Sequence, residues 1–229
     1  MTSYYLDDSA IDLAALGQRL ATSDLIPSQD PLLDGLDAKL TALRAAGIHS
    51  LADLRAALKS QKTLETLSAA SGIDPDYLRL LKRAVGGFFP KPRSLDEIDW
   101  LESGLVSRLE KAGLTNTQKL FEAASKGATV LAKDLGVEES DLTDLIAISD
   151  LCRIQWVSPT YARALLATGQ TGAGTVAEAD PEALFHAIAK ANEGARYYSG
   201  KVGLRDVRRL VAAAAYVPQA PDTAQPDAP

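Results

Sequence analysis

Two histidines and one cysteine are the side chains of this 229-residue sequence best suited to nucleophilic, acid–base or soft-metal chemistry near neutral pH. Cys152 lies in an apolar helical stretch. A nucleophilic thiol needs a base beside it, and neither histidine is near Cys152 in sequence, so buried packing is its expected role. His49 follows Gly47-Ile48 and precedes Ser50, which reads as a solvent-facing turn histidine; the other readings are a helix-end charge or a haem ligand. His186, in Phe185-His186-Ala187-Ile188, reads as a partly buried helix residue, with ligand or acid–base work as the alternative. The spacing of the two gives no support to an axial pair on haem. No cofactor is expected; His49 and His186 are the residues that would hold one.

Other groupings are weighed the same way. Asp96, Glu97 and Asp99, and again Glu138, Glu139 and Asp141, fall where carboxylates complement the start of a helix. A metal site would need a second cluster facing them, and no metal site is expected. The glycine-rich run Thr168 to Thr175 follows a helix rather than a strand and lacks the Lys-Ser/Thr pair of a phosphate-binding loop, so it reads as a flexible connection. Trp100 and Trp156 are expected to pack at unit boundaries; exposed, they would be binding anchors. Tyr197-Tyr198, between Arg196 and Lys201, is the best aromatic-plus-basic candidate for contact with a nucleic acid or protein, against a packed linker.

These residues sit in a chain with 24 Lys and Arg against 30 Asp and Glu, a formal charge of −6. The excess is local. Residues 1–37 hold seven aspartates and one arginine, and the remainder is balanced. Within that remainder, residues 190–209 are basic, with Lys190, Arg196, Lys201, Arg205, Arg208 and Arg209 against Glu193 and Asp206. Such a run reads as a solvated face, a phosphate-facing patch, or a partner for the acidic N-terminal segment. One cysteine excludes a disulfide framework and a cysteine zinc site. With 46% hydrophobic residues, no apolar run long enough to span a bilayer and no signal-peptide pattern, the expectation is a folded cytoplasmic protein without membrane contact.

The elements that carry these residues are helices. Asp30-Pro31, Asp74-Pro75, Ser158-Pro159 and Asp180-Pro181 each place a capping residue before a proline, which suits a first helical turn. Ser9, Ser50, Ser94 and Thr115 read as further caps. Gly47-Ile48, Gly72-Ile73, Gly113-Leu114 and Gly136-Val137 read as stops, with glycine left-handed and the next apolar side chain folded back. Leucines between them recur at helical spacing, and strand alternation is absent. Trp100, Leu109 and Gly113 recur 56 positions later as Trp156, Leu165 and Gly169, and Leu43 to Ile48 resembles Leu109 to Leu114, 66 positions on. The fold class expected is all-α, with about three related units in one or two lobes. The expected division is an acidic N-terminal helix and linker over 1–30, a degenerate unit over 31–92, two units over 93–217 and a disordered Pro-rich tail over 218–229. An N-terminal arm that only covers the body could be deleted without loss of the fold.

Leu151-Cys152-Arg153-Ile154-Gln155-Trp156-Val157-Ser158-Pro159-Thr160-Tyr161-Ala162-Arg163-Ala164-Leu165-Leu166 resembles the L-C-R-I-x-G-V-S-P-x-Y-A-x-L-L stretch of the DUF4332 family. The likeness covers residues 100–217 well and 31–92 only as a degenerate unit. The family resembles helix-hairpin-helix proteins, and the resemblance implies compact all-α modules whose turns would hold a DNA phosphate on backbone N–H groups. This sequence departs from that pattern. Trp156 stands where the family has glycine, Gly104 is beside Glu102, and Gly35 lies between Asp34 and Asp37. A carboxylate repels phosphate and a Trp side chain blocks close backbone approach. Lys39, Arg108 and Arg163 on the following helices keep nucleic-acid binding open, as does the 190–209 stretch. The reading favoured is a non-enzymatic helical module that binds a protein partner, with nucleic acid disfavoured and a haem or small-ligand pocket as a third alternative. Contact residues for a partner or nucleic acid would be Gly35, Lys39, Gly104, Arg108, Trp156, Arg163, Arg196, Tyr198, Lys201, Arg205, Arg208 and Arg209.

Overall fold

The computed structural model describes residues 3–218. The Pro-rich tail expected from residue 218 lies, apart from Pro218 itself, outside the described residues. Those residues form thirteen α-helices joined by turns and short 3-10 segments, with no strand among them. The chain is all-α and divides into two compact units, one of Asp7–Phe89 and one of Pro90–Pro229 together with Met1–Leu6.

The first unit holds α1 (Leu13–Thr22), α2 (Leu36–Ala45), α3 (Leu51–Ala57), α4 (Gln61–Ser71) and α5 (Pro75–Gly86). The second holds α6 (Ser103–Lys111), α7 (Thr117–Ala123), α8 (Ala128–Leu135), α9 (Glu139–Leu151), α10 (Pro159–Leu166), α11 (Ala173–Glu178), α12 (Pro181–Ala191) and α13 (Leu204–Ala214). The glycine stops form as read: Gly47, Gly72, Gly113 and Gly136 all have positive φ. After α2, α6 and α10 the residue beyond the glycine, or the glutamine in its place, donates its N–H to a buried leucine carbonyl. These bonds are Ile48 to Leu43 (3.0 Å), Leu114 to Leu109 (2.8 Å) and Gln170 to Leu165 (3.2 Å). Ser50, Asp74, Ser158 and Asp180 cap as expected.

Other boundaries move by a few residues. Asp12, not Ser9, caps α1, and Asn116, not Thr115, caps α7, because each carboxylate or amide reaches the third N–H of its helix. Asp30-Pro31 lies inside a 3-10 segment, and α2 starts later, behind left-handed Gly35. Ser94 opens no helix; it forms an isolated antiparallel bridge with Asn116.

The N-terminal segment is not a detachable arm, and residue 30 is not a boundary. Leu13, Leu16 and Leu20 are fully buried. Gly17 lets α2 approach so closely that a Cβ there would collide with Leu40. The Leu51 N–H donates to Ile11 O at 2.8 Å, and Asp8 pairs with Arg55. The leucine face, rather than the charge of the seven aspartates, decides where this segment sits.

In the second unit a buried ion pair gathers distant pieces of chain. Arg153, 3% exposed, pairs with Asp150, donates from Nε to Tyr4 O at 3.0 Å and from the guanidinium to Pro218 O, and lies 4.2 Å from the centroid of Phe121. The other Asp150 oxygen accepts from Ala173 N at 2.8 Å, the first N–H of α11. A Cβ on Gly172 would strike that carboxylate, so the glycine-rich run is a packed helix start, not a flexible loop. Tyr4 is also anchored by its hydroxyl, 3.1 Å from Thr117 Oγ1.

Two outcomes are expected. Deleting residues 1–30 removes three buried leucines, each worth about 1.5–3 kcal/mol, and the Asp7–Phe89 unit loses its cooperative transition in a calorimetric scan. Arg153→Met leaves Asp150 buried and uncompensated and lowers stability by about 3–5 kcal/mol, measured by urea denaturation.

Candidate functional site

The turn between α9 and α10 carries an unusual residue. Trp156 has φ of 71°, a left-handed conformation that costs a bulky side chain roughly 1–2 kcal/mol. Its neighbours Ile154 and Val157 are buried and Ser158 caps α10 by accepting from Tyr161 N at 3.2 Å. These anchors fix both ends of the turn and force the residue between them into the left-handed region. The indole is not buried in return: Trp156 is 56% exposed.

The other wall comes from the chain between α12 and α13. Asn192 holds it with three hydrogen bonds, donating to Tyr198 O (2.9 Å) and accepting from the N–H groups of Tyr197 (2.9 Å) and Tyr198 (3.2 Å). Asp206 accepts from Gly203 N at 2.9 Å and sets the start of α13. Helix α13 then buries Val207 and Leu210 and turns Arg209 toward the turn, where its guanidinium lies 4.4 Å from the Trp156 ring centroid. Tyr161 and Tyr198 meet edge to face at 5.6 Å. Between the walls is an open groove of about 430 Å³, lined by Trp156, Tyr161, Tyr198, Val202 and Leu210 with Lys201, Arg209 and Asp206 among them. Burial, then the neighbouring Tyr198 and Asp206, push the Tyr161 phenol well above its usual range, so it stays protonated and able to donate.

Four residues singled out from the sequence, Trp156, Tyr198, Lys201 and Arg209, therefore converge. The others do not. Arg163 lies 5.1 Å from the Trp100 ring centroid in a second depression of about 280 Å³ that also contains Glu102, Asp141 and Asp144. Trp100 is half-buried against both hydrophobic clusters of its unit, as packing at a boundary requires. Arg196 stacks on Tyr197 at 5.3 Å, Arg208 pairs with Glu182 at 3.0 Å, and Arg205 is exposed on the first turn of α13. Arg108 donates to Gly136 O and so closes the end of α8.

The three turns do not share one geometry. Gly35 is left-handed, with Lys39 against Tyr77 at 4.1 Å, whereas Gly104 lies within α6 without positive φ. A helix has replaced the turn expected there. Val202 and Asp206 also line the groove, and no motif or spacing marks either as a groove residue. Tyr161, two residues after Ser158-Pro159, could have been placed on the face of the turn from helical spacing alone.

His49 is exposed, and its backbone N–H donates to Asp53 at 3.1 Å within the cap of α3. His186 is exposed on α12 beside Phe185 rather than partly buried. Among the described residues, no group of three or more His, Cys, Asp or Glu could hold a metal ion. Cys152 is buried, and burial pushes its thiol from 9.0 up to about 12. Tyr77, which donates to Leu32 O at 2.9 Å, is pushed from 10.0 up to about 12 by burial and by Asp34. Below pH 9 both folded and unfolded chains keep these protons and the stability is whole. Above pH 9 the unfolded chain releases the thiol proton first, and stability falls with further rise in pH. The melting temperature should be flat from pH 7 to 8.5 and decline from about pH 9, with the onset in Cys152→Ala displaced upward by about one unit to the tyrosine range.

No curated protein and no solved structure matches the chain. One family model does, described as a domain of unknown function (DUF4332), over residues 102–217. That span covers just over half of the chain and includes the Asp150–Arg153 pair and every residue of the Trp156 groove, so the chain belongs to the DUF4332 family.

Proposed function

We propose that this chain is a non-enzymatic helical binding module whose contact surface for a protein partner is the Trp156 groove. The observation that carries the reading is Trp156 itself, a large aromatic held exposed in a strained conformation. Burying it would repay the strain, and leaving it in water does not, so the residue contributes more to contact than to folding. Trp, Tyr and Arg are also the side chains that dominate protein interfaces, and the groove brings them together.

The architecture supports a scaffold role. The order of a longer helix, a short helix and two further helices occurs three times, as α2–α5, α6–α9 and α10–α13. The first N–H of each short helix is satisfied at an equivalent place: Leu51 by Ile11 O, Thr117 by Arg93 O, Ala173 by Asp150. We read this as three related units of helix-hairpin-helix ancestry in which only the third keeps an exposed side chain on a left-handed turn.

Catalysis draws little support, since burial holds the Cys152 thiol protonated and both histidines are exposed on the surface. The haem reading gains no support, because His49 and His186 both lie exposed and line neither depression described above. Nucleic acid remains a second reading because Lys201, Arg209 and Tyr198 share the groove. A cytoplasmic location fits the absence, among the described residues, of any helix long and apolar enough to cross a membrane.

A photo-crosslinking side chain, p-benzoylphenylalanine, placed at Trp156 in cells should give a discrete protein adduct, and the same group at exposed Val130 should not. A nuclease-sensitive adduct at 156 would favour the second reading, and equal adducts at both positions would remove the groove from consideration. Trp156→Gly relieves the left-handed strain and should melt within about 4 °C of the parent, because the relief offsets lost ring contacts and added chain entropy.

A further inference from the structure

The walls of the groove differ in chemistry, and the difference specifies an occupant. The floor is apolar and aromatic, made by Val202 and Leu210 with Tyr161 and Tyr198. Two cations flank it: Lys201, exposed ahead of α13, and Arg209, whose guanidinium rests on one face of the indole. The volume of about 430 Å³ suits two or three residues of an extended peptide.

One carboxylate, Asp206, also lines the groove, with Oδ2 already accepting from Gly203 N. Every internucleotide link carries a charge, so a nucleic-acid strand crossing the groove would bring phosphates past Asp206. Trp156 also blocks the backbone approach by which a glycine at that turn would serve a phosphate. A peptide can place its charges selectively. An apolar side chain can fill the floor while a neighbouring carboxylate faces Lys201 or Arg209, and a peptide N–H can meet the free lone pairs of Asp206.

Resting on the proposed binding role, and naming the chemistry of its partner, we infer that the groove receives a short acidic segment of another protein. One large apolar side chain, leucine or an aromatic, seats against Val202, Leu210 and Tyr198, and flanking Asp or Glu residues pair with Lys201 and Arg209.

The test is selection of a random twelve-residue peptide library, displayed on phage, against the full chain, followed by fluorescence titration of the best peptide synthesised free. Enrichment of Leu, Phe or Trp flanked by Asp or Glu is expected, with quenching of an emission that Trp156→Phe removes. Lys201→Gln and Arg209→Gln should each weaken the selected peptide about fivefold, the size of a partly screened ion pair. Lys190→Gln, on α12, should leave it unchanged. Replacing the peptide carboxylates by amides should cost at least as much as either charge removal.

The inference is overturned if neutral or basic sequences emerge, or if the two charge removals leave affinity intact. In both cases quenching at Trp156 would still uphold the groove as a binding surface. Absence of any enriched peptide, or enrichment of peptides that bind equally well to Trp156→Gly, overturns the inference and the binding reading together. Tighter binding of a fifteen-residue thymidine oligonucleotide than of the best peptide, lost in the same two variants, overturns it in favour of nucleic acid.

Discussion

The guanidinium of Arg153 is the point on which the larger unit depends. Removing it from water is costly, and the cost is met only because every direction it faces holds an acceptor or a ring: Asp150, the carbonyls of Tyr4 and Pro218, and Phe121. Each of these belongs to a different part of the chain. The pair therefore does more than stabilise. It specifies where residues 3–4 lie, where the chain leaves α13, and how the end of α9 meets the start of α11. The groove begins three residues later. Trp156 can be held left-handed because the segment before it is pinned by Arg153 and buried Ile154, and the segment after it by Val157 and the Ser158 cap.

The same pair shows how one position can be met by different chemistry. At the start of α3 and α7 a backbone carbonyl from an earlier segment accepts the first helical N–H. At the start of α11 the acceptor is the Asp150 carboxylate. A carbonyl satisfies one donor and stops. A carboxylate has capacity left over, and that capacity is what recruits Arg153 and, through it, both ends of the described chain. The substitution demands room, and Gly172 supplies it by having no side chain to strike the carboxylate.

Much of this was legible in the amino-acid order, and the limits are physical. Glycine stops are legible because the left-handed conformation is nearly a property of one residue type, and Gly47, Gly72, Gly113 and Gly136 all adopt it. Caps were less secure, because serine, threonine, asparagine and aspartate compete within a few residues; Asp12 prevailed over Ser9 and Asn116 over Thr115 by reach. For the N-terminal segment the amino-acid order leaves two outcomes open, a covering arm or part of the core, and the burial of Leu13, Leu16 and Leu20 decides for the second. The family stretch from Leu151 to Leu166 includes Arg153, yet nothing in it marks that residue as the one that carries the structure. A buried arginine is invisible until its partners are known, and three of those partners are main-chain or side-chain groups far away in sequence. In the groove, nothing in the spacing of Trp156, Tyr198, Lys201 and Arg209 shows that a turn would face residues 42 to 53 positions further along the chain.

The clasp has a consequence for the order in which the protein comes into being. Residues 3–6 belong to the unit formed by 90–218, and a complete second unit, 7–89, is strung between them. On a ribosome the 7–89 unit has all of its chain and can close early. The residues made before it must wait: Tyr4 has no buried place until Arg153 has been synthesised, roughly 7–30 s later at ordinary elongation rates, and Arg153 is not saturated until Pro218 follows. Residues 3–6 are thus made before the 7–89 unit and buried after it.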